Sequence, residues 1–402
     1  MPNIQSVAGP DSVDKEGPPR ITAGEAPLSP LSTPAPTDGD GRIRPLRPQD
    51  VGAVADLFQK HFRKGRGPAP EPLAAYLEEL FLHHPCAEAD LPSRVHLDPE
   101  GKVDGFIGVL PARMQFRGRA LRAAIAGSLM VADPRRDPLA GARLLRAFLK
   151  GPQDLSISES ANPLSQGMWE RLGGFAAASY SLEWVRVLRP FSAGLAALAA
   201  ARPSARRLRP FARGADRLCR PLAARFLALA PPGPFPGGDA DDAQIADAVC
   251  EFSDDVALGP NWDTATLRWM LSHAQKKERH GTLFRRIVRA RGGRLLGCYL
   301  YYGRPDGIAW VLQILGRREH LGAIVDDLLR HAAGQGCAAV RGRTNPQLLG
   351  VLLTRNCVML HRASTVVHAR DPRIVQAVLT GDAVLDGLAG ESWTRLIGGE
   401  FR

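Results

Sequence analysis

Two tandem mixed α/β domains are predicted for this 402-residue chain, and three observations predict them. The length exceeds what one hydrophobic core usually organises. Strand-like alternation gives way to single helices in the order of a mixed sheet. That order then recurs: "LLRAFLKG" (144–151) matches "LLRHAAGQG" (328–336) at an offset of 184, and "ESANPLSQGMW" (159–169) matches "GRTNPQLLGVL" (342–352) at 183. "KVDGFIG" pairs likewise with "RLLGCYL", and "SYSLEWVRVLRP" with "ASTVVHARDP". Offsets that drift so little mark a duplication.

Residues 1–41 are rich in Pro, Gly, Ser, Thr and Asp, bury too little apolar surface to offset ordering entropy, and are predicted to be disordered. Order begins at "IRPLRPQDVGAVADLFQKHF" (43–62) as a short strand, Asp50 as N-cap, and a helix with Val51, Val54, Ala55, Leu57 and Phe58 on one face. "EPLAAYLEELFLHHP" is a second helix closing at Pro85. "SRVHLD" and "KVDGFIGVLPARMQF" are strands around the turn "PEGK", and "RALRAAIAGSLMVADP" is a further strand or strand pair. A polar turn, a helix to about Lys150, the strand "DLSISES", the helix "NPLSQGMWERLGG" and a closing strand "AASYSLEWVRVL" complete the first domain, 42–190. The second copy is assigned to 240–402. Between them, 191–239 reads as a helical Arg-rich linker, with Leu218, Leu222, Phe226 and Leu229 on one face and Arg213, Arg217, Arg220 and Arg225 flanking it.

The formal charge of +11 suggests an anionic partner, but it is local. Residues 191–230 carry eight arginines against the single acid Asp216, so the segment reads as a solvated helix face or as a docking element for an anionic membrane surface or a protein. Nucleic acid is not the expected partner. The six cysteines are far apart with no C-x-x-C pair, which indicates neither a metal site nor a disulfide framework. No apolar run of eighteen residues and no signal-peptide pattern is present, so a cytoplasmic location is expected.

The stretch "VADPRRDPLAGARLL" (131–145) places a tight polar turn between a strand end and an apolar helix start. Backbone amides and the helix dipole can hold a diphosphate at such a place. With "IRPLRPQDVGAVADLF" before it and "NPLSQGMWERLGG" after it, this order resembles the GNAT N-acetyltransferase superfamily, over about 43–190 directly and 240–370 through the repeat. In the family's loop V-x-P-x-x-[RQ]-x-x-G-x-[GA]-x-x-L-L, the positions Val131, Arg136, Gly141, Leu144 and Leu145 fall in register; Pro134 is one place late and Leu139 replaces the first glycine. The family's N-x-x-A-x-x-L-Y-x-x-x-G-F block maps onto Asn162, Ser165, Met168, Trp169 and Gly173, with Phe175 one residue late. The fold class implied is two tandem GNAT-like domains, the second degenerate, since "VLQILGRREHLGAIVDDLL" offers only Gly316 and Gly322 in the loop.

The resemblance implies transfer of an acyl group, foremost acetyl, from its coenzyme A thioester to an amine, with no metal. Amides of Arg136, Asp137, Leu139, Ala140 and Gly141 are the candidate diphosphate donors, with Arg135 or Arg136 adding charge; Pro138 removes a donor and Asp137 adds like charge. Strand backbone at Leu129, Met130 and Val131 would serve the acyl and pantetheine groups. Glu159 and Ser128 are the candidate base or water relay, each also read as a structural group. Asn162 and Trp169 are candidate cofactor contacts, though the first is foremost a helix-capping signal and the plain reading of the second is core packing. Indole has no proton to transfer at neutral pH, so Trp169 is no general acid. A metabolite amine, an amino sugar of an envelope polysaccharide and a protein amine are all acceptable acceptors. Two other readings stand beside this one: a non-catalytic tandem binding or scaffold protein, and an aminoacyl-tRNA-dependent transferase, which requires salt-sensitive RNA binding.

Overall fold

A computed structural model describes residues 42–401 except 64, 66, 220, 222, 223 and 254. The segment read as a disordered tail lies outside the described residues. The chain runs through β1 (Ile43–Pro45), α1 (Val51–Phe62), α2 (Glu71–Leu82), β2 (Arg94–Leu97), β3 (Val103–Phe116), β4 (Arg119–Val131), α3 (Ala140–Leu149), β5 (Leu155–Ala161), α4 (Pro163–Arg171), β6 (Phe175–Ala176) and β7 (Leu182–Val187). An arm follows: α5 (Pro190–Ala201), a 3-10 turn over Pro203–Leu208, α6 (Arg209–Cys219) and α7 (Ala224–Leu227). The second half comprises β8 (Gly237–Asp239), α8 (Asp242–Ser253), β9 (Leu258–Pro260), α9 (Thr264–Gln275), β10 (Thr282–Arg289), β11 (Leu295–Gly303), β12 (Ile308–Gly316), α10 (Leu321–Gly334), β13 (Ala339–Arg343), α11 (Pro346–Leu353), β14 (Val358–His361), β15 (Ser364–Ala369) and α12 (Pro372–Leu379). The remaining segment, 380–401, has no regular helix or strand.

Two mixed sheets result. The first has the order β1-β2-β3-β4-β5-β15-β6 with β9 also on β3, and the second β14-β7-β13-β12-β11-β10-β8. The duplication is therefore visible, but each half lends a strand to the other: β7 lies between β14 and β13, and β15 between β5 and β6. The boundary expected at residue 190 thus does not separate the sheets, and the described residues form one compact unit. The largest core cluster draws Phe58, Leu77 and Phe106 from the first half, Val249, Leu271 and Leu300 from the second, and Leu388 and Trp393 from the final segment.

Local chemistry explains the elements that flank the sheets. Asn162 and Asn345, equivalent in the repeat, both cap helices, accepting from Ser165 N (2.8 Å) and Leu348 N (3.0 Å). Asp50 does not cap α1 as expected. Its carboxylate instead takes Arg44 (2.6 and 2.9 Å) and Arg47 N (2.9 Å), bracing the turn before the helix.

The linker is not one packed amphipathic helix. Of the expected apolar face, Leu218 is 81% and Phe226 67% exposed, and Leu222 and Arg220 lie outside the described residues. The arm is fixed by polar groups instead: buried Asp216 accepts from Phe191 N, Ser192 N and Ser192 Oγ, and Arg213 pairs with Asp306.

The final segment crosses the middle of the molecule, which its glycines permit. Gly387 sits at φ +66, and a Cβ there would collide with Leu312 O. Gly387→Val is expected to cost about 3 kcal/mol or more, read as a lower urea midpoint.

Candidate functional site

The geometry that matters lies where β4 leaves β5. These strands pair in parallel only at Ala123–Ile125 with Leu155–Ile157. Phe106 faces Met130 and Gly108 faces Gly127, so Ser128 and Leu129 together oppose Ile107. This is a β-bulge, which bends a strand and ends regular pairing. Ser128 takes φ 55, unusual for a residue with a side chain. In the second sheet β12 and β13 pair at Ile308–Trp310 with Ala339–Arg341, and the register with β11 skips Leu312. Both copies therefore open a cleft at equivalent points.

The turn after β4 differs from the expected cradle. Asp133 accepts from the amides of Arg135 (2.9 Å), Arg136 (3.1 Å) and Asp137 (3.4 Å). Asp137 accepts from Leu139 N (3.2 Å) and Ala140 N (3.3 Å). Four of the five amides singled out in the sequence, those of Arg136, Asp137, Leu139 and Ala140, are thus engaged within the turn. Gly141 and Ala142, in the first turn of α3, have amides with no acceptor among the described residues.

Leu139 does not plug the turn: its side chain is 60% exposed. The Asp137 carboxylate is held by Arg143 (2.8 Å), with His96 Nε2 at 3.7 Å and Arg42 at 3.9 Å. Arg135 and Arg136 are exposed and have no acidic partner among the described residues. The site therefore fits a diphosphate through one helix N-terminus and two free guanidinium groups, not through the row of amides the sequence suggested.

Glu159 is not placed to act on a substrate. It is 1% exposed, and its carboxylate accepts from Gly387 N (3.2 Å), Glu391 N (2.8 Å), Ser392 N (3.0 Å) and Ser392 Oγ (2.9 Å). Arg343 Nε lies 3.7 Å away, and Arg343 also donates to the Glu159 carbonyl. Four donors and a cation account for this carboxylate: it ties the final segment to β5. Gly390 permits the approach, because a Cβ there would collide with the Glu159 carboxylate.

That segment delivers a different carboxylate to the β4–β5 cleft. Glu391 accepts from Ser160 Oγ (2.5 Å), and a Cβ on Gly127 would lie 3.0 Å from its Oε2. Burial, against the Ser160 hydrogen bond and with Glu159 adding, pushes Glu391 up to about 7. Ser160 is exposed, so it joins solvent to the buried acid. The same segment fills the second cleft with main chain: Leu388 N donates to Gln313 Oε1 (2.8 Å), beside Leu312. Its loop cations are also committed, Arg317 to Glu251 (3.2 Å) and Arg318 to Asp382 (2.9 Å).

The other expected contacts are structural in this chain. Trp169 is buried edge-on against Phe148 (6.0 Å), and the Asn162 carbonyl is used as the α4 cap. Met130 is buried; Ser128, Leu129 and Val131 are half-buried along the cleft edge. Sequence reading missed Ser160 and Glu391. The first was masked by its neighbour Glu159, and the second lies in "DGLAGESW", which has no periodicity to place it.

A buried ionic group surrounds Glu391. Burial lowers Lys277 to about 7, with Glu159 and Glu391 opposing, and its ammonium donates to Ser392 O. Burial raises Asp386 to about 7, with Glu159 adding. The unfolded chain keeps the lysine proton up to about 10.5, so between pH 7 and that value it binds more protons than the folded chain, and Lys277 makes stability rise with pH. Asp386 and Glu391 act oppositely between about 4 and 7, where the folded chain retains protons that the unfolded one has released. In Lys277→Met the gain in urea midpoint from pH 7 to 9 should disappear.

Comparison with protein-family models and with curated protein sequences finds no match. Solved structures do match. An Enterococcus faecalis V583 protein described as a probable N-acyltransferase aligns at 12% identity over 82% of this chain and 72% of its own, with a TM-score of 0.54. A GCN5-related N-acetyltransferase from Anabaena variabilis aligns at 10% identity over 82% and 73%, also with a TM-score of 0.54. The chain has the N-acetyltransferase (GNAT) fold, as two tandem copies. No helix among the described residues is long and apolar enough to cross a membrane.

Proposed function

We propose that the protein is an N-acyltransferase whose reacting centre is the β4–β5 cleft of the first sheet. The observation that carries this reading is Glu391, a buried carboxylate held beside Gly127 and Ser160 and raised to about 7, where a general base is most effective. A bound acyl-CoA, foremost acetyl-CoA, would supply an activated thioester. Gly141 and Ala142 amides with Arg135 and Arg136 would hold its diphosphate. The bulged β4 edge at Ser128–Met130, unpaired with β5, offers backbone to the acyl end.

As an amine nitrogen forms its bond to the acyl carbon and the C–S bond breaks, the amine proton passes to Ser160 Oγ. The Ser160 proton passes to Glu391, and the departing sulfur leaves as thiolate. Ser160 and Glu391 are the catalytic residues in this account; Glu159, Ser392 and Arg343 position them. The acceptor is an amine, and a metabolite, an amino sugar or a protein can each present one.

The amides engaged within the turn favour one other reading, a binding protein that has lost acyl-CoA. Calorimetric titration with acetyl-CoA separates the two. Binding at millimolar concentration or below, weakened at least about tenfold in Arg135→Ala/Arg136→Ala, supports transfer, and no heat with any acyl-CoA supports the binding protein.

A further inference from the structure

A second candidate site lies under the arm, and its lining includes none of Gly127, Ser160 and Glu391. A cavity of about 700 Å³ opens between α5, the turn before α6, the start of β12 and β13, and residues 397–400. That volume is in the range of small-molecule sites. Arg206, Arg209, Arg279 and Arg304 line it, and none has a carboxylate within ion-pair distance among the described residues. Their charges reach one another: burial lowers Arg304, and Arg206, Arg209 and Arg279 lower it further.

Two more guanidinium groups, Arg341 and Arg362, share Glu183 at 3.8 and 3.5 Å. Of the acids on the wall, which are Asp306, Glu278 and Glu400, Asp306 is held by Arg189 and Arg213. Arg206, Arg279 and Arg304 are exposed and Arg209 is half-buried, so an anion can reach the cluster and pair with several guanidinium groups at once. The floor suits a ring. Arg341 lies over Trp310 at 4.3 Å, and His280 meets the same indole edge-on at 4.4 Å, its buried Nε2 without a partner among the described residues. Leu195, Ala196 and Ile308 make an apolar wall.

We propose that this cavity is a binding site for an organic phosphate or diphosphate, gripped by Arg206, Arg209, Arg279 and Arg304. The phosphate can belong to a soluble molecule or to a lipid headgroup. The arm bears on the choice, because its basic side meets the cavity and Asp306 while Leu208 and Phe211 are exposed, the latter at 76%. The site does not rest on the acyltransferase reading.

The test uses the full chain with inorganic pyrophosphate and uridine diphosphate by calorimetry, and vesicles of phosphatidic acid in phosphatidylcholine by co-sedimentation. At least one probe should bind at millimolar concentration or tighter. That binding should fall at least about tenfold in Arg279→Ala/Arg304→Ala. Arg207→Ala/Arg225→Ala, which removes the same net charge from exposed positions off the cavity, should leave it within about twofold. Loss with the soluble probes assigns a soluble ligand, and loss with vesicles alone assigns a headgroup. Absence of binding to all three probes, or equal weakening by both double variants, overturns the proposal.

Discussion

Replacing Glu391 by Gln lowers acyl transfer by about 10²–10⁴-fold, the usual contribution of a positioned general base, while acetyl-CoA binding changes by less than about twofold. The isosteric amide keeps an oxygen for Ser160 but cannot take the proton. Because the base works deprotonated and sits at about 7, the wild-type rate should climb with pH through that value and then level. Ser160→Ala should lose rate with the same retained binding, since the hydroxyl is the link between solvent and the buried acid. Coenzyme A release, followed with a thiol reagent across a panel of amines, reads all three proteins. A Glu391→Gln enzyme with unchanged rate and pH profile would remove Glu391 from the chemistry.

Replacing Glu159 by Ala is expected to destabilise the fold by about 3–5 kcal/mol, the cost of breaking a buried charged arrangement. Three amides, one hydroxyl and the Arg343 cation lose a common acceptor at once. Glu159→Gln should recover only part of this, because its carbonyl oxygen can still accept from two of the four donors, whereas its NH2 would face the other two and has no lone pair for them. The readout is the urea midpoint of the intact chain. Limited proteolysis should also show early cleavage in 380–401, the segment released. The contrast with Glu391→Gln is diagnostic: one carboxylate holds the segment, and the other is held out by it to react.

The sequence carried the fold further than the site. Each element between β1 and α4 follows from period, cap or turn, and the duplication predicted the second sheet. What it could not specify was the exchange of β7 and β15. Their alternating patterns are equivalent in the repeat, so period alone suits either sheet. Burial of Trp184 with its Nε1 on Arg343 O (3.1 Å) fits β7 to the second one.

The loop illustrates a second limit. Asp133 and Asp137 look like anions repelling a phosphate, yet both spend oxygen atoms on neighbouring amides, a local preference of aspartate in turns. Glu391 was illegible for a different reason. Its role depends on contacts with Gly127 and Ser160 more than two hundred residues away, across a segment with no regular structure.

Hydrogen–deuterium exchange of the intact chain with and without acetyl-CoA tests the central claim most directly. The account predicts added protection at 128–131 and at 140–142, with little change around Arg279 and Arg304. Protection confined to the arginine-lined cavity, or none anywhere, would contradict a reacting centre in the first cleft.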